Sequence, residues 1–147
     1  MALAVVALLA ISLVTTTLLT QRSARTARNN TQATNLAQQN IEQMRVFRDR
    51  MGFGALVNDN PTSCSILDTS ADPNDPATWV ISRSLPCVPE TITLSKTLFG
   101  RSIKIDAGSN SNQKKLTVTV TWQDTGGLQT VTIVTYLSNC VSNPSGC

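Results

Sequence analysis

Residues 1 to 21 read MALAVVALLAISLVTTTLLTQ, and none of their side chains is charged. Met1–Val14 is almost entirely Ala, Val, Leu and Ile, interrupted only by Ser12. A helix of about 20 residues, rising about 1.5 Å per residue, spans the roughly 30 Å hydrocarbon core of a bilayer. The segment is therefore just long enough to cross a membrane, although the threonines from Thr15 to Thr17 make its end less apolar.

Three interpretations compete for this apolar segment. A secretory signal peptide carries basic residues before its apolar stretch, whereas here Arg22, Arg25 and Arg28 come after it. A simple transmembrane anchor would keep those arginines, and the chain after them, in the cytoplasm. A cytoplasmic location would conflict with the disulfides that we expect from the four cysteines described below, because disulfides are rare in the cytoplasm. A chain whose true start lies upstream avoids the conflict, and we prefer this interpretation.

From Ser23 to about Met51 the pattern becomes amphipathic, with apolar residues at steps of three or four and glutamines and asparagines between them. Neither proline nor glycine occurs before Gly52. The sequence therefore predicts one continuous helix from near Met1 to about Met51, ended by Gly52. The residues of its apolar face are Ala33, Ala37, Ile41, Met44, Phe47 or Arg48, and Met51.

The rest of the chain predicts β-structure, so the expected fold class is α+β, a long N-terminal helix followed by antiparallel strands. Residues 58–78 are rich in Asn, Asp and Pro and are predicted to form a loop. In Lys115–Gln123 apolar residues alternate with threonines, which predicts a strand with one apolar face. It is expected to form a hairpin with Leu128–Leu137 through a turn at residues 124–127. Shorter strands are predicted at Trp79–Leu85, Thr91–Leu98 and Ser102–Asp106.

The four cysteines, Cys64, Cys87, Cys140 and Cys147, all follow the apolar segment. None belongs to a CxxC pair, and the chain has no histidine that could complete a zinc site. Their even number, in loops rich in Pro, Ser and Asn, favours disulfides and an oxidising compartment. The alternative is a cytosolic protein with four free thiols.

Charge is divided unevenly along the chain. Residues 1–50 contain six arginines and two acidic residues, and residues 51–147 contain six basic and seven acidic residues. The head therefore lacks the basic surface that nucleic-acid binding requires, and no nucleic-acid partner is expected. Arg22, Arg25 and Arg28 lie on one helix flank, where they could anchor at lipid headgroups or bind acids of adjacent subunits. A solvated basic face is an equally good interpretation.

No constellation of residues indicates catalysis. The chain has no histidine for a triad and no glycine-rich phosphate loop, so we expect neither an enzyme nor a cofactor. Asp72 and Asp75 could hold calcium through their oxygens, but two turn-forming aspartates are the favoured interpretation. Trp79 and Trp122 are expected in the core of the head.

Two segments and a hairpin resemble type IV pilins and pseudopilins. They are MALAVVALLAI (residues 1–11), LAQQNIEQMR (residues 36–45) and the hairpin from Val118 to Leu137. The resemblance covers both ends of the chain well and residues 58–106 poorly. In this family a peptidase removes a short basic leader, the new N-terminus is methylated, and the helices bundle in the filament core. The family's cleavage-site glycine and early glutamate have no counterpart here, and position 5 is Val5. Either the mature start lies upstream, which we favour, or the chain is an atypical member that lacks the glutamate.

The resemblance implies the subunit of an extracellular filament, which passes through the cytoplasmic membrane before it assembles with its own copies or other pilins. Residues 1–22 would form the transmembrane and filament-core half of the helix, residues 23–52 would pack on the head, and residues 53–147 would form the extracellular head. A type II secretion pseudopilin and a membrane-anchored binding module that never polymerises are the alternatives. Whether the filament serves adhesion, motility or DNA uptake stays open. The predicted helix–helix assembly positions are Leu3, Val6, Leu9 and Leu13.

Four cysteines allow three pairings, of which we predict Cys64–Cys87 and Cys140–Cys147. The first would fix the irregular segment between the two residues. The second would close a turn containing Pro144 and Gly146, and it is similar to the C-terminal disulfide loop of many pilins.

Overall fold

The computed structural model describes the backbone of residues 2–139 and the side chains of residues 13–139. One helix, α1 (Ala2–Met51), precedes the sheet. It ends at the predicted glycine, where the Gly52 amide donates to the Arg48 carbonyl at 2.8 Å. Gly52 has a φ of 86°, a left-handed conformation that glycine adopts at the least cost. The prediction of one uninterrupted helix is confirmed.

Six antiparallel strands follow the helix, so the α+β prediction is confirmed. They form one sheet in the order β2-β1-β4-β5-β6, and β3 pairs with β4 next to β1. Their bounds are β1 Cys64–Asp68, β2 Val80–Ser84, β3 Glu90–Leu94, β4 Thr97–Ala107, β5 Gln113–Asp124 and β6 Gly127–Ser138.

The predicted C-terminal hairpin is present as β5 and β6, which pair from Gln113↔Ser138 to Asp124↔Gly127 around a two-residue turn. Two other expectations were wrong. Thr91–Leu98 is not one strand, because Ser95 and Lys96 form the turn between β3 and β4. The expected loop at residues 58–78 contains β1, which pairs with β2.

The core lies between the second half of α1 and the sheet. The predicted apolar positions Ala33, Ala37, Ile41, Met44 and Phe47 are buried, whereas Met51 is exposed, contrary to expectation. On β5 the apolar side chains alternate as predicted and are buried: Leu116, Val118, Val120 and Trp122. Trp79 joins the same core.

A buried carboxylate connects the segment after the helix to the sheet. The Asp59 side chain is fully buried. Its oxygens accept hydrogen bonds from the Ser65 hydroxyl and the Ile105 amide, each at 2.8 Å. Arg83 Nε lies 3.3 Å from the same carboxylate. One residue therefore joins β1, β2 and β4, and the burial of its charge is compensated by these partners.

Candidate assembly and membrane-contact surface

The side chains of the first half of the helix are exposed, where they are described, over almost their whole length. Every side chain from Leu13 to Arg28 is exposed except Thr26, which is half-buried. Leu13 is 72% exposed and Leu19 66%. Burial begins at Asn29, where the helix meets the sheet. We call residues 13–28 the stem.

Two threonines of the stem donate their hydroxyl protons to carbonyl oxygens of their own helix. Thr17 donates to the Leu13 carbonyl at 2.8 Å, and Thr20 donates to the Thr16 carbonyl at 2.9 Å. A hydroxyl that donates within its own helix needs no water molecule for that proton. These threonines therefore cost less in an apolar environment than their polarity alone suggests.

Within the described residues, no helical segment is both long enough and apolar enough to cross a membrane. Three of the predicted assembly positions, Leu3, Val6 and Leu9, lie outside the residues whose side chains are described. The fourth, Leu13, is described and exposed. The transmembrane assignment of residues 1–22 stays a prediction.

The three arginines at the end of the stem are exposed, and none forms an ion pair with a described residue. Four other arginines differ, since each has an acidic partner in the described part of the chain. These pairs are Arg45–Glu42, Arg48–Asp49, Arg83–Asp59 and Arg101–Glu90. Three arginines without an acidic partner in the described residues thus lie within two turns of the helix, where the stem enters the head.

The β3–β4 turn adds a fourth cation that the sequence did not reveal. Arg25 and Arg28 line a groove of about 490 Å³ together with Ser95, Lys96 and Thr97. We call these five residues the base groove. The turn is attached to the helix because Gln32 Nε2 donates to Ser95 Oγ at 3.2 Å. A neighbouring groove continues along Leu18, Gln21, Arg22 and Arg25 to Thr125 of the β5–β6 turn.

One acidic residue, Asp124, also lies at this end of the head. The Thr125 amide donates to its carboxylate at 2.7 Å and is the main cause that lowers the pKa of Asp124. Partial burial opposes this shift, and the side chains of Thr26 and Asn29 on α1 lower the pKa further. Asp124 Oδ2 is buried and accepts no hydrogen bond within the described residues, so the carboxylate lies beside Thr26 and Asn29 of the helix without being bonded to it.

The Cys64–Cys87 disulfide is present, with 4.9 Å between the Cα atoms. It joins the start of β1 to the segment after β2, which confirms the first predicted pairing. Cys140 and Cys147 lie outside the described residues, so their pairing stays a prediction.

The paired aspartates in the loop between β1 and β2 form turns, as favoured. Asp72 accepts from the Asn74 amide at 2.9 Å, and Asp75 accepts from the Ala77 amide at 3.0 Å. Within the described residues, no group of three His, Cys, Asp or Glu side chains could hold a metal ion.

No protein-family model, curated protein or solved structure matches the chain. The type IV pilin resemblance therefore stays an interpretation of the sequence.

Proposed function

We propose that the protein is a structural subunit of a type IV pilus-like extracellular filament, which assembles by bundling its N-terminal helices. One observation carries the proposal. The second half of a continuous helix is covered by the sheet, whereas the stem exposes its large apolar side chains Leu13, Val14, Leu18 and Leu19.

Burial of the stem is the physical reason for assembly. Apolar surface removed from water contributes roughly 25 cal/mol per Å², so exposed leucines on consecutive turns favour an apolar environment. Lipid would supply that environment before assembly, and neighbouring helices would supply it in the filament. The Cys64–Cys87 disulfide fits a head exposed outside the cell, where oxidising conditions preserve such bonds.

Substitution of Leu9 by Asp tests the proposal. A carboxylate buried among apolar helices is costly, so we expect Leu9→Asp to abolish incorporation into filaments. Gln38→Asp is the matched control, because it introduces the same charge at an exposed position of the packed half. Electron microscopy of material sheared from the cell surface, followed by mass spectrometry of the N-terminus, gives the readout.

Each outcome of this experiment separates the candidate functions. Normal filament numbers with Leu9→Asp contradict helix bundling. A wild-type chain found only in the membrane fraction, with no filament defect on deletion, favours the anchored binding module. Loss of secretion rather than of surface filaments on deletion favours the pseudopilin.

A further inference from the structure

We propose that the base groove binds the phosphate of an anionic phospholipid headgroup while the subunit resides in the membrane. This inference rests on the membrane stage of the proposed function. It adds a ligand class and a residue, Lys96, that the filament proposal does not require.

The position of the groove along the helix matches the headgroup layer. Arg25 lies six residues beyond Leu19, the last leucine of the stem, which is about 9 Å along a helix. Each headgroup layer of a bilayer extends about 5–8 Å beyond the hydrocarbon core. Arginine side chains extend several ångströms further while their stems stay on apolar surface. A lipid phosphate beside the stem would therefore lie within reach of Arg25, Arg28 and Lys96.

The donors in the groove are those that phosphate oxygens prefer. Guanidinium groups bind phosphate through paired N–H donors, and lysine contributes a compact positive charge. The hydroxyls of Ser95 and Thr97 line the same groove. Neither Arg25, Arg28 nor Lys96 has an acidic partner within ion-pair distance in the described part of the chain. Asp124 lines an adjoining groove together with Arg25 and Lys96, and its carboxylate accepts from the Thr125 amide at 2.7 Å, so it offsets part of the positive charge that these two residues present to a phosphate.

Lys96 lies in the groove because the β3–β4 turn adopts a backbone conformation that residues other than glycine and asparagine seldom adopt. Ser95 and Lys96 have φ values of 49° and 71°. Two-residue hairpin turns with both φ values positive favour Asn-Gly, whereas this turn consists of two residues that disfavour the conformation. The bond from Gln32 to Ser95 holds the turn beside the helix.

The aspartate-rich loop of a second copy is the main competing occupant. Its exposed residues Asp72 and Asp75 each accept one backbone amide, at 2.9 and 3.0 Å, which stabilises the turns but leaves their negative charge available to a cation. The groove's position beside the apolar segment favours lipid over this loop. The second copy remains an outcome of the test.

The experiment uses the full chain in a zwitterionic detergent, titrated with phosphatidylglycerol or phosphatidylcholine and followed by native mass spectrometry. We expect one phosphatidylglycerol to bind at least tenfold more tightly than phosphatidylcholine. Each basic residue near an anionic surface tightens binding by about a factor of 5 in Kd. The double substitution Arg28→Gln with Lys96→Gln should therefore raise the Kd for phosphatidylglycerol about 25-fold.

Two control variants separate the groove from total charge and from folding. Arg50→Gln with Lys115→Gln removes the same charge from residues outside the groove, neither of which has an ion pair in the described residues, and should leave the affinity unchanged. Lys96→Arg keeps the charge in the groove and should retain binding. An intact Cys64–Cys87 bond and an unchanged melting temperature verify the fold of each variant.

Several results would overturn the inference. Equal affinity for the two lipids would exclude specific binding of phosphatidylglycerol in the groove. The same conclusion would follow if Arg28→Gln/Lys96→Gln and Arg50→Gln/Lys115→Gln lost equal affinity for it. Displacement of the lipid by inorganic phosphate at the same concentration makes free phosphate the ligand. Dimers that exclude lipid and are lost in Asp72→Asn/Asp75→Asn make the second copy the occupant. Insertion into phosphatidylglycerol liposomes, measured separately by flotation, distinguishes the two failures. A chain that inserts but shows no preference for phosphatidylglycerol in the titration contradicts this inference alone, whereas a chain that never inserts contradicts the proposed function.

Discussion

The two halves of α1 belong to one continuous helix, yet only the second half is buried within its own chain. From Asn29 to Phe47 the buried residues recur at steps of three and four, and they face β5 and β6. In the stem the large apolar residues are confined to the first two turns, at Leu13, Val14, Leu18 and Leu19, and all four are exposed. The comparison teaches that burial, and not helix formation, separates the two halves: the packed half carries an apolar stripe that the sheet covers, whereas the apolar side chains of the stem are left uncovered within the described part of the chain.

The sharpest way to break this comparison is to place the same charge in each half. Met44 is fully buried against the sheet, and Leu18 is half exposed on the stem. We expect Met44→Asp to cost the head about 4 kcal/mol or more, because a lone carboxylate enters the core. Leu18→Asp should leave the melting temperature of the head unchanged. Thermal unfolding of each full-length variant is followed by the near-UV circular dichroism of Trp79 and Trp122. A similar loss of stability in Met44→Asp and Leu18→Asp would refute the difference between the two halves of the helix.

Truncation of one leucine in each half is a milder version of the same test. Leu36 is 7% exposed and packs in the core, whereas Leu19 is largely exposed. Leu36→Ala should destabilise the head by about 3 kcal/mol through lost burial and a cavity. Leu19→Ala should change stability by less than about 0.5 kcal/mol. Chemical denaturation of the two variants gives the free energies of unfolding, and a large effect of Leu19→Ala would show that the head contacts the stem.

Removal of the Cys64–Cys87 disulfide tests whether the stability of the head depends on the stem. Cys64 and Cys87 are 23 residues apart, and a loop of that size is worth about 3 kcal/mol in the chain-entropy model. The double substitution Cys64→Ser/Cys87→Ser should lower the free energy of unfolding by about that amount. The effect should be the same in detergent micelles and in filaments if the stem does not support this region. Non-reducing peptide mapping identifies the pairing, and a Cys64–Cys140 peptide would contradict it.

The smallest expected effect lies at Asp124, where the two halves of the helix meet. Because its pKa is lowered below the usual 3.8, the ionised form stabilises the folded state. That contribution is present above the unfolded pKa and is lost as the pH falls through the lower, folded pKa. Asp124→Asn should therefore reduce stability at neutral pH and flatten the pH dependence of unfolding below about pH 4. The free energy of unfolding of the wild type and of Asp124→Asn is measured as the pH is lowered. The same slope against pH in both proteins would exclude a role for this carboxylate.

Periodicity alone predicted the helix, its end and the last hairpin. The helix was readable because no proline or glycine interrupts residues 2–51, and β5 because four apolar residues alternate with threonines. The buried Asn29 and Asn40 were missed, because periodicity assigns an apolar stripe to apolar residues and these amides occupy the same face.

Other features depended on contacts between distant segments. β1 has five residues between turn-forming segments, and its pairing with β2 exists only after the two segments meet. The Ser95–Lys96 turn has no glycine or asparagine, so its segment reads as one strand. Asp59 accepts a hydrogen bond from Ile105, 46 residues away, and a lone aspartate in a loop gives no local sign of that role.

The chain leaves the described sheet at the end farthest from the stem. Arg48 Nη1 donates to the Ser138 carbonyl at 3.2 Å, so the last strand ends beside the last turns of α1. Arg48 lies 29 residues beyond Leu19, which is about 44 Å along a helix. A fluorophore attached at Asn139 would therefore sit several nanometres from one attached in the stem. Energy transfer between two such dyes on one molecule would serve as an internal ruler that reports whether the helix stays straight, and a quencher added on one side of a bilayer would report which compartment receives the sheet.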